Sequence, residues 1–483
     1  MDASITPILD YFDQINAIPR CSKSEQRIRE WLSRWAAERN LETNGDAAGN
    51  LVVQVPASAG CEQAPTIVIQ GHMDMVCEKT PDASHDFTQD PIRSHMEGEW
   101  LTADKTTLGA DNGIAIAYAL ALAEDRDVIH PPLELLFTVD EESGLTGVKQ
   151  MDPGLIKGRR LINLDSEDEG IFTIGCAGGE DTRLTMTLQP EPLPADFACM
   201  RLVVGGLRGG HSGIDIHKQR ANANRLLART LDQIQRKTAC RLVHLTGGSR
   251  HNAIARDAAA VFAIESGANG TVAQLVGEME ATLKQEVGGK EPDLLVRVQD
   301  DPPSIVSSAL SLADSRRAVS LLLALPHGVA GMSTTVDGLV ETSCNLATTA
   351  LDNGRLSILT SQRSASPSRL AEMTAMIEAV GSLAGATSHG GSHYPPWQPD
   401  LDSQLLQASK TVYATLFGRQ PVIQIIHAGL ECAIIGDLCP GMQMISFGPT
   451  IRNPHSPDER LLVPSVGKVW QLLVALLASL SGR

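Results

Sequence analysis

Short apolar runs alternate with helix-like segments along the first 185 residues of the chain. The segments ITPILDYFDQI and SEQRIREWLSRWAAERN carry apolar residues at helical spacing, and GIAIAYALALAED is apolar enough for a buried helix. The runs between them have the length and composition of buried strands: NLVVQVP, TIVIQGH, LELLFTVDEE and RLINLDSE. Such strands separated by helices are typical of a parallel sheet covered on both faces. The pattern therefore predicts an α/β fold with a mostly parallel sheet.

Two changes in composition divide the chain. Residues 186–199 include the proline-rich stretch TLQPEPLPADFAC, and residues 388–400 form the polar stretch SHGGSHYPPWQPD. After the second, PVIQIIHAGLECAII and QMISFGPT are interpreted as buried strands and VGKVWQLLVALLASL as a helix. A chain of 483 residues is too long for one ordinary core. We predict that residues 1–185 and 393–483 complete one α/β domain, with residues 186–392 inserted as an α+β domain.

Charge and apolar content argue against several kinds of partner. Forty Lys and Arg against 57 Asp and Glu give a formal net charge of −17, which disfavours nucleic acid and anionic membranes. The longest apolar stretches, at 113–123 and 472–480, are shorter than the ~20 residues that a membrane span needs. The first twenty residues, MDASITPILDYFDQINAIPR, have neither a basic region nor a continuous apolar core, so we expect no secretory signal.

The cysteines predict a reducing environment. There are nine of them, scattered and without a CxxC pair, which argues against a disulfide framework and a thiolate zinc site. We therefore expect a cytoplasmic protein. Cys77 and Cys432 lie close to motifs whose residues could take part in chemistry, and we expect both to be buried, inert thiols.

A histidine and an aspartate end one of the strands. In IVIQGHMDM, His72 and Asp74 are two residues apart, so in an extended chain they share a face. One ring nitrogen of the histidine could bind a metal ion while the other donates to a carboxylate. Alone, this spacing is weak support for a metal site, since it often occurs by chance.

Acidic residues also follow the neighbouring segments. Asp111 lies in LGADNG before a helix, FTVDEESG ends a strand with three acids, and Asp165 lies in INLDSEDEG. Any single cluster is best interpreted as solvated loop acids, but several in succession favour one crevice at the carboxyl ends of parallel strands. Carboxylates gathered there would repel each other unless divalent cations neutralised them. His455, in SFGPTIRNPHSPDERL, is a further candidate ligand. Oxygen and imidazole ligands suit zinc, manganese or cobalt.

The order of these motifs resembles the M20 family of co-catalytic zinc peptidases. The matching motifs are GHMD, GADNG, DEESG, LDSEDEG, GGHSG and NPHSPDE. The segments HDFTQDPI, TTLGADNGIA, GCAGG and IQIIHAGLEC narrow the likeness to the cytosolic aminoacyl-histidine dipeptidases, the peptidase D or Xaa-His dipeptidase group. The likeness extends from near the N-terminus to the last helix.

The resemblance implies two divalent metal ions per chain. One would be held by His72, Asp111 and Asp165, and the second by Asp111, Glu142 and His455. Asp111 would bridge ions about 3.5–4 Å apart, the usual two-metal spacing. Zinc is the expected metal, with manganese and cobalt left open.

The resemblance also implies the catalytic roles. Glu141 would be the general base for a water that bridges the metals, and would return the proton to the leaving amine. Asp74 would orient His72. The sequence departs from the group at Lys105, where glycine is more common, which puts substrate preference in doubt more than activity.

The inserted domain would correspond to the lid of the family. There the resemblance implies that His211, in GGHSG, stabilises the oxyanion, although this motif alone is better interpreted as a Gly-rich turn. Asn252 and Arg363 would bind the terminal carboxylate of the substrate, and Gly429 would line the substrate pocket. A contact of Glu431 with the free α-amine is a further expectation.

The resulting hypothesis is a metallo-dipeptidase acting on unblocked dipeptides. The resemblance implies a preference for Xaa-His substrates, such as carnosine-like β-alanyl-histidine, and a homodimer. Alternatives are an N-acyl-amino-acid deacylase or aminopeptidase with the same metals and base, a metal-dependent peptide-binding protein without turnover, and a structural interaction module.

Overall fold

The chain forms two compact units in a computed structural model that describes residues 5–299, 306–334, 336 and 338–482. Unit 1 comprises Met1–Gly175, Trp397–Ile425 and Leu430–Arg483, and unit 2 comprises Cys176–Pro396 and Ile426–Gly429. The boundary expected after residue 185 lies within the strand Gly178–Thr187, and the one expected after residue 392 lies within Thr387–Tyr394. These two strands pair with each other in unit 2, which explains why the boundaries between the units lie outside both strands.

The main sheet of unit 1 has eight strands among the described residues. Their order across the sheet is Glu42–Gly45, Leu51–Val55, Leu133–Thr138, Ile67–His72, Arg160–Asn163, Gln443–Ser446, Ile171–Cys176 and Val422–Ile426. The four strands from Leu133–Thr138 to Gln443–Ser446 are parallel, whereas antiparallel pairs extend the sheet on both sides. The expected α/β fold with a parallel centre is confirmed.

Burial explains why the central strands lack alternation. Every residue of Ile67–His72 and Leu133–Thr138 is buried, because helices cover both faces of a parallel sheet. The helices of unit 1 are Thr6–Asn16, Gln26–Glu38, Ala110–Glu124, Glu141–Gly144, Thr146–Lys149, Gln404–Phe417, Glu431–Leu438 and Val463–Leu480, with a 3₁₀ turn at Pro153–Leu155. A second sheet consists of Ile451–Arg452, Arg460–Leu462, Trp100–Ala103 and Ser94–Glu97.

One predicted strand is partly wrong. The segment PVIQIIHAGLECAII forms the strand Val422–Ile426 and then the helix Glu431–Leu438. A short apolar run cannot by itself distinguish a buried strand from a buried helix, and here the run contains both.

The C-terminal helix is longer than its apolar core suggests. Among the described residues, Val463–Leu480 is the one helix long and apolar enough to cross a membrane, but half of it is buried within the protein. Leu473, Leu476 and Leu477 have no exposed surface. Burial of this kind is typical of the core helix of a globular protein.

Unit 2 is an α+β unit built on an antiparallel sheet of nine strands among the described residues. Eight of them follow the order Leu295–Gln299, Phe197–Gly205, Ala258–Glu265, Cys240–Gly247, Val340–Asp352, Arg355–Ser364, Gly178–Thr187 and Thr387–Tyr394. The ninth, Gly328–Met332, pairs with Val340–Asp352. Two small pairs join Pro190–Pro192 to Ser308–Leu310 and Gly210–His211 to Ala253–Ile254.

Helices cover this sheet and enclose a continuous apolar core. They are Ala223–Lys237, Asn269–Val287, Leu312–Ala324 and Pro367–Leu383, with 3₁₀ turns at Ile216–Lys218 and Gly288–Lys290. The helix Ala223–Lys237 begins at Asn222, whose side chain accepts a hydrogen bond from the Arg225 amide and so caps a free backbone donor.

Candidate functional site

His72 ends a fully buried strand and faces acceptors on both sides of its ring. Its Nδ1 lies 3.1 Å from the carbonyl oxygen of Asp74 and 3.3 Å from Asp74 Oδ1, so this nitrogen carries a hydrogen. Its Nε2 lies 3.1 Å from Asp111 Oδ1 and 3.4 Å from Asp165 Oδ1. A lone pair aimed at two carboxylates requires a proton or another cation between them. Burial opposes the charge, but Asp165 and Asp111 outweigh it and raise the pKa of His72 well above its usual value.

Asp74 joins His72 to the turn after the neighbouring strand. Its fully buried carboxylate accepts hydrogen bonds from Ser22 Oγ at 2.8 Å and from the amides of Glu141 at 3.1 Å and Glu142 at 3.2 Å. Burial favours the neutral acid, but the hydrogen bond and charge of His72, with these donors, lower the pKa of Asp74 to about 2. Asp74 therefore stays ionised and fixes the position of both glutamates.

Asp111 connects two histidines from distant parts of the chain. Oδ1 faces His72, and Oδ2 lies 3.1 Å from Nε2 of His455. The same His455 nitrogen lies 3.0 Å from Oε2 of Glu142. Hydrogen bonds to Asp111 and Glu142 raise the pKa of His455 to about 11.

Two carboxylates of this cluster, Glu142 and Asp165, have raised pKa values. Burial, followed by the charge of Asp111, raises the pKa of Glu142 to about 7. Burial also raises the pKa of Asp165. Oε1 of Glu142 is buried without a hydrogen-bond partner among the described residues, an arrangement that is costly unless a ligand uses the oxygen.

Ligand atoms within 4.8 Å of one another form two groups that share one residue. The first contains His72, Asp111 and Asp165, and the second contains Asp111, Glu142 and His455. Together they hold the five residues that the motifs suggested as ligands. Two imidazole nitrogens and three carboxylates suit divalent cations such as zinc, and the orphan oxygen of Glu142 also fits.

Glu141 lies beside this cluster. One of its oxygens is within 4.8 Å of ligand atoms of His72 and Glu142, so it can reach the same space. Burial raises the pKa of Glu141 well above its usual value, and Asp165 and Glu142 add to the effect. Its amide is held by Asp74.

A further acidic group has a structural explanation. Glu25, Asp74 and Asp140 also bring oxygens within 4.8 Å of one another. Glu25 accepts hydrogen bonds from the amides of Lys23 and Asp140, and Asp140 accepts them from the hydroxyls of Ser143 and Thr146. These donors satisfy the acids locally.

Glu431 is buried, and two neighbouring side chains hold one of its carboxylate oxygens. It has no exposed surface, and its Oε2 accepts hydrogen bonds from Gln70 Nε2 at 2.6 Å and Thr138 Oγ1 at 2.8 Å. Burial raises the pKa of Glu431 to about 8. The contact with a substrate amine stays a prediction, because the other carboxylate oxygen, Oε1, is buried without a hydrogen-bond partner among the described residues.

Lys105 adopts a backbone conformation that favours glycine. Its φ is 62°, which a residue without Cβ adopts at little cost. The ammonium group is exposed and lies 2.7 Å from the exposed carboxylate of Asp82. This contact directs the charge of Lys105 towards Asp82 rather than towards a ligand.

The expectation for Cys77 is wrong, because it forms a disulfide with Cys21, with the two Cα atoms 5.7 Å apart. The segments are adjacent since Cys21 and Met75 form an isolated parallel bridge pair. An odd number of cysteines without CxxC argues against a framework but not against one pair distant in sequence. Cys432 is buried, as expected.

In unit 2, the ring of His211 has a defined tautomer. Its Nδ1 accepts hydrogen bonds from the amides of Gly213 at 3.2 Å and Ile214 at 3.1 Å. Burial and then the charge of Arg363 lower the pKa of His211 to about 4, so the ring is neutral at pH 7. A neutral ring that accepts at Nδ1 carries its hydrogen on Nε2, which is thus a donor. Asn252 lies beside this turn, and its backbone carbonyl oxygen accepts a hydrogen bond from the Ser212 amide.

Arg363 and Gly429 both contact Tyr394. Arg363 is 7% exposed, donates to the Tyr394 hydroxyl through Nη1 and has a buried Nε without a partner among the described residues. A Cβ on Gly429 would lie 2.8 Å from the ring of Tyr394, so only glycine allows this approach. Tyr394 therefore positions both residues.

Two further residues, Tyr394 and His427, were not expected from the sequence. The His427 Nε2 lies 2.7 Å from Ser343 Oγ, and a Cβ on Gly213 would lie 2.1 Å from the His427 carbonyl oxygen. Burial lowers the pKa of His427 to about 3. Tyr394 lies in the polar stretch SHGGSHYPPWQPD and His427 in IQIIHAGLEC, but neither sequence pattern indicates their contacts.

The chain is similar in sequence and in fold to known peptidases. Residues 68–479 match peptidase family M20/M25/M40. The chain is 39% identical over 477 residues to the cytosol non-specific dipeptidase of Escherichia coli (strain K12), covering 99% of this chain and 98% of that protein. The aminoacylhistidine dipeptidase structure from Vibrio alginolyticus is similar with a TM-score of 0.89 and 39% identity, over 99% and 98% of the two chains. The aminopeptidase PepT from Bacillus cereus ATCC 10987, at 16% identity and a TM-score of 0.57, shares the fold over 98% of both chains.

Proposed function

Because the chain belongs to peptidase family M20/M25/M40, we propose that it is a dipeptidase that hydrolyses unblocked dipeptides with two divalent metal ions. The family membership confirms the resemblance drawn from the motifs. One observation carries the proposal of two ions: two groups of ligand atoms share Asp111, and each contains one histidine. Such a shared carboxylate is suited to a two-metal site.

The roles of the residues in unit 1 follow from their chemistry. The ions, when bound, supply Lewis acidity that polarises the peptide carbonyl and acidifies water. His72, Asp111 and Asp165 would hold one ion, and Asp111, Glu142 and His455 would hold the other. Glu141, held through its amide by Asp74, takes a proton from the attacking water and delivers it to the leaving amine. Because Asp74 also accepts from the His72 ring, it orients a ligand and the base together.

The residues of unit 2 provide groups for substrate binding. His211 donates its Nε2 hydrogen to the oxyanion that develops at the carbonyl oxygen. Arg363 pairs with the terminal carboxylate, with Asn252 as a second polar contact, and Gly429 provides space beside the substrate. The resemblance implies these roles, and two observations support them: the tautomer of His211 and the Nε of Arg363, which has no hydrogen-bond partner among the described residues.

Substitution of Glu141 tests the base. Glu141→Ala should lower the rate of hydrolysis by about 10²–10⁴-fold or more, while both ions remain bound. Glu141 also lies in a possible ligand group with His72 and Glu142, so loss of an ion would assign it as a ligand instead. Wild-type activity in the variant would contradict the assignment. A peptide-binding protein without turnover would show no hydrolysis before the substitution.

We propose Xaa-His dipeptides as preferred substrates. The names of the relatives differ, since the Escherichia coli protein is described as non-specific and the Vibrio protein as an aminoacylhistidine dipeptidase. A mass-spectrometric screen of free and N-acetylated dipeptides, with and without chelator, separates the possibilities. Turnover of β-alanyl-histidine and other Xaa-His peptides supports the proposal. Hydrolysis of N-acetyl amino acids alone would favour the deacylase, and loss of one N-terminal residue from longer peptides the aminopeptidase.

Metal identity, assembly and location complete the proposal. Zinc suits the donor set, and activity reconstituted with zinc, manganese or cobalt ranks the three. We propose a homodimer, which sedimentation would test. We also propose a cytoplasmic location, as for the cytosol dipeptidase of Escherichia coli. The Cys21–Cys77 disulfide is unusual for such a compartment, so the mass of alkylated protein from intact cells tests the location and the bond together.

A further inference from the structure

A buried glutamate holds the backbone of the loop that ends at Asp111. Glu459 is 2% exposed, and its Oε2 accepts hydrogen bonds from the amides of Leu108 at 2.7 Å and Gly109 at 2.9 Å. Its Oε1 accepts a third, from the amide of Asp111 itself, at 3.2 Å. One carboxylate thus binds three of the four backbone amides between residues 108 and 111.

A buried arginine holds the same loop through a carbonyl group. Arg20 is 1% exposed and donates from Nη2 to the carbonyl oxygen of Gly109 at 2.6 Å. Its Nη1 donates to the carbonyl oxygens of Met73 at 3.2 Å and Asp74 at 2.9 Å. Arg20 therefore connects the segment after His72 to the loop before Asp111.

Gly109 is the position where both charged groups meet the backbone. Its amide is bound by Glu459 and its carbonyl by Arg20. Its φ is 73°, and a Cβ there would lie 2.5 Å from Arg20 Nη2. A Cβ on Gly113 would lie 2.6 Å from the same nitrogen. The two glycines therefore permit the close approach of the guanidinium group.

The two charged side chains that hold this loop, Glu459 and Arg20, are both buried, and their burial needs a physical explanation. Burying a charged group costs several kcal/mol unless hydrogen bonds and an opposite charge compensate it, and apolar residues often fill such a space at lower cost. Here all three hydrogen bonds that the described residues donate to the Glu459 carboxylate come from the backbone of one loop, and that loop ends at the carboxylate shared by both ligand groups.

We propose that Glu459 and Arg20 are positioning residues that fix Asp111 in its metal-binding orientation before any ion arrives. They act through the backbone, and neither belongs to the ligand groups found among the described residues. Fixing the shared ligand reduces the ordering that metal binding would otherwise require, so the pair raises the affinity for both ions. This inference rests on the proposed metal centre.

The test compares Glu459→Gln with a matched control. Glutamine fills the same space, but its amide group has one acceptor oxygen where the carboxylate had two, so it faces backbone donors with a donor of its own. Glu134→Gln is the control, because Glu134 is 1% exposed and accepts from the amides of Lys157 at 2.9 Å and Gly158 at 3.0 Å. Neither of these amides belongs to a proposed ligand.

Zinc affinity is measured by competition with a chromophoric chelator, and the thermal midpoint of the metal-free protein is recorded in parallel. We expect both variants to unfold at lower temperature than the wild type. Glu459→Gln should also raise the zinc dissociation constant by about 10–100-fold, the usual effect of removing a residue that supports a ligand. Glu134→Gln should bind zinc as the wild type does. At saturating zinc, the KM of Glu459→Gln for a dipeptide should be unchanged.

Arg20→Lys keeps the positive charge but loses the fork that reaches several carbonyl groups, so it should also weaken zinc binding. Equal zinc affinity in Glu459→Gln and Glu134→Gln would overturn the inference. If both Glu459→Gln and Arg20→Lys failed to fold while Glu134→Gln folded, the pair would serve folding and the inference would again be wrong. Absence of zinc binding by the wild type would instead refute the proposed metal centre.

Discussion

The substitution Asp74→Asn should lower two separate quantities, the stability of the fold and the activity or metal affinity of the site. The Asp74 carboxylate accepts hydrogen bonds from three donors, Ser22 Oγ and the amides of Glu141 and Glu142, and lies 3.3 Å from His72 Nδ1. Asparagine has nearly the same shape but carries no charge and offers one acceptor oxygen. The substitution therefore changes hydrogen bonding and charge without creating a cavity.

The expected loss of stability follows from the number of donors. A hydrogen bond to a charged group contributes about 1.5–3 kcal/mol and a neutral one about 0.5–1.5 kcal/mol, so the lost charge costs roughly 3 kcal/mol over three donors. A donor left facing the amide nitrogen adds about 1–3 kcal/mol. We expect the free energy of unfolding to fall by roughly 4–6 kcal/mol, measured by urea denaturation of the metal-free protein.

The expected loss of function is separate. Because Asp74 orients His72 and the turn of Glu141 and Glu142, zinc affinity or kcat/KM should fall by about 10–100-fold. Asp46→Asn is the control, since Asp46 accepts from Gly49 N at 3.0 Å and from N and Nδ2 of Asn50 at 3.0 and 2.8 Å. We expect it to lose stability but not zinc affinity. If Asp74→Asn bound zinc and turned over dipeptide as well as Asp46→Asn, the supporting role of Asp74 would be refuted.

Further substitutions test individual groups. Glu431→Gln keeps the acceptor oxygen for Gln70 and Thr138 but removes a carboxyl whose pKa burial raises to about 8. In the metal-free wild type, the folded state then binds more protons than the unfolded state between the ordinary pKa of 4.5 and about 8, so stability should fall as pH rises through that window, by up to about 1.4 kcal/mol per pH unit. Denaturant unfolding from pH 5 to 8 should show a flatter dependence for the variant, and an identical slope would contradict the raised pKa. His211→Ala should lower kcat by about 10²–10³-fold with little change in KM, and steady-state kinetics that show only a raised KM would exclude an oxyanion role. Arg363→Lys should raise the KM for a dipeptide about 10–100-fold, while the rate with the corresponding dipeptide amide should change less; equal effects on both would exclude carboxylate binding.

The sequence predicted those parts of the molecule that depend on local periodicity. Buried parallel strands such as Ile67–His72 and Leu133–Thr138 have near-continuous apolar runs, and their ends can be read from the chain. The acids that follow such strands gather because the carboxyl ends of parallel strands meet at one edge. His455 was recognised from its motif, since nothing local indicates that its ring meets Asp111, 344 positions away.

Features that depend on distant contacts were missed. Glu459 binds amides about 350 positions earlier, and Arg20 binds a carbonyl 89 positions later, so neither appears in a pattern of neighbours. The Cys21–Cys77 bond depends on the bridge pair that brings Cys21 beside Met75. The position of Glu431 depends on which side of a helix start faces the sheet, and residue type does not determine this.

Metal stoichiometry with and without the shared ligand tests the central claim most directly. Asp111 is common to both ligand groups, whereas His455 belongs to one of them. Mass-spectrometric metal analysis of zinc-reconstituted protein should find two ions per chain in the wild type, one in His455→Ala and none held tightly in Asp111→Asn. A wild type that binds no zinc, or an Asp111→Asn variant that retains both ions, would contradict the account.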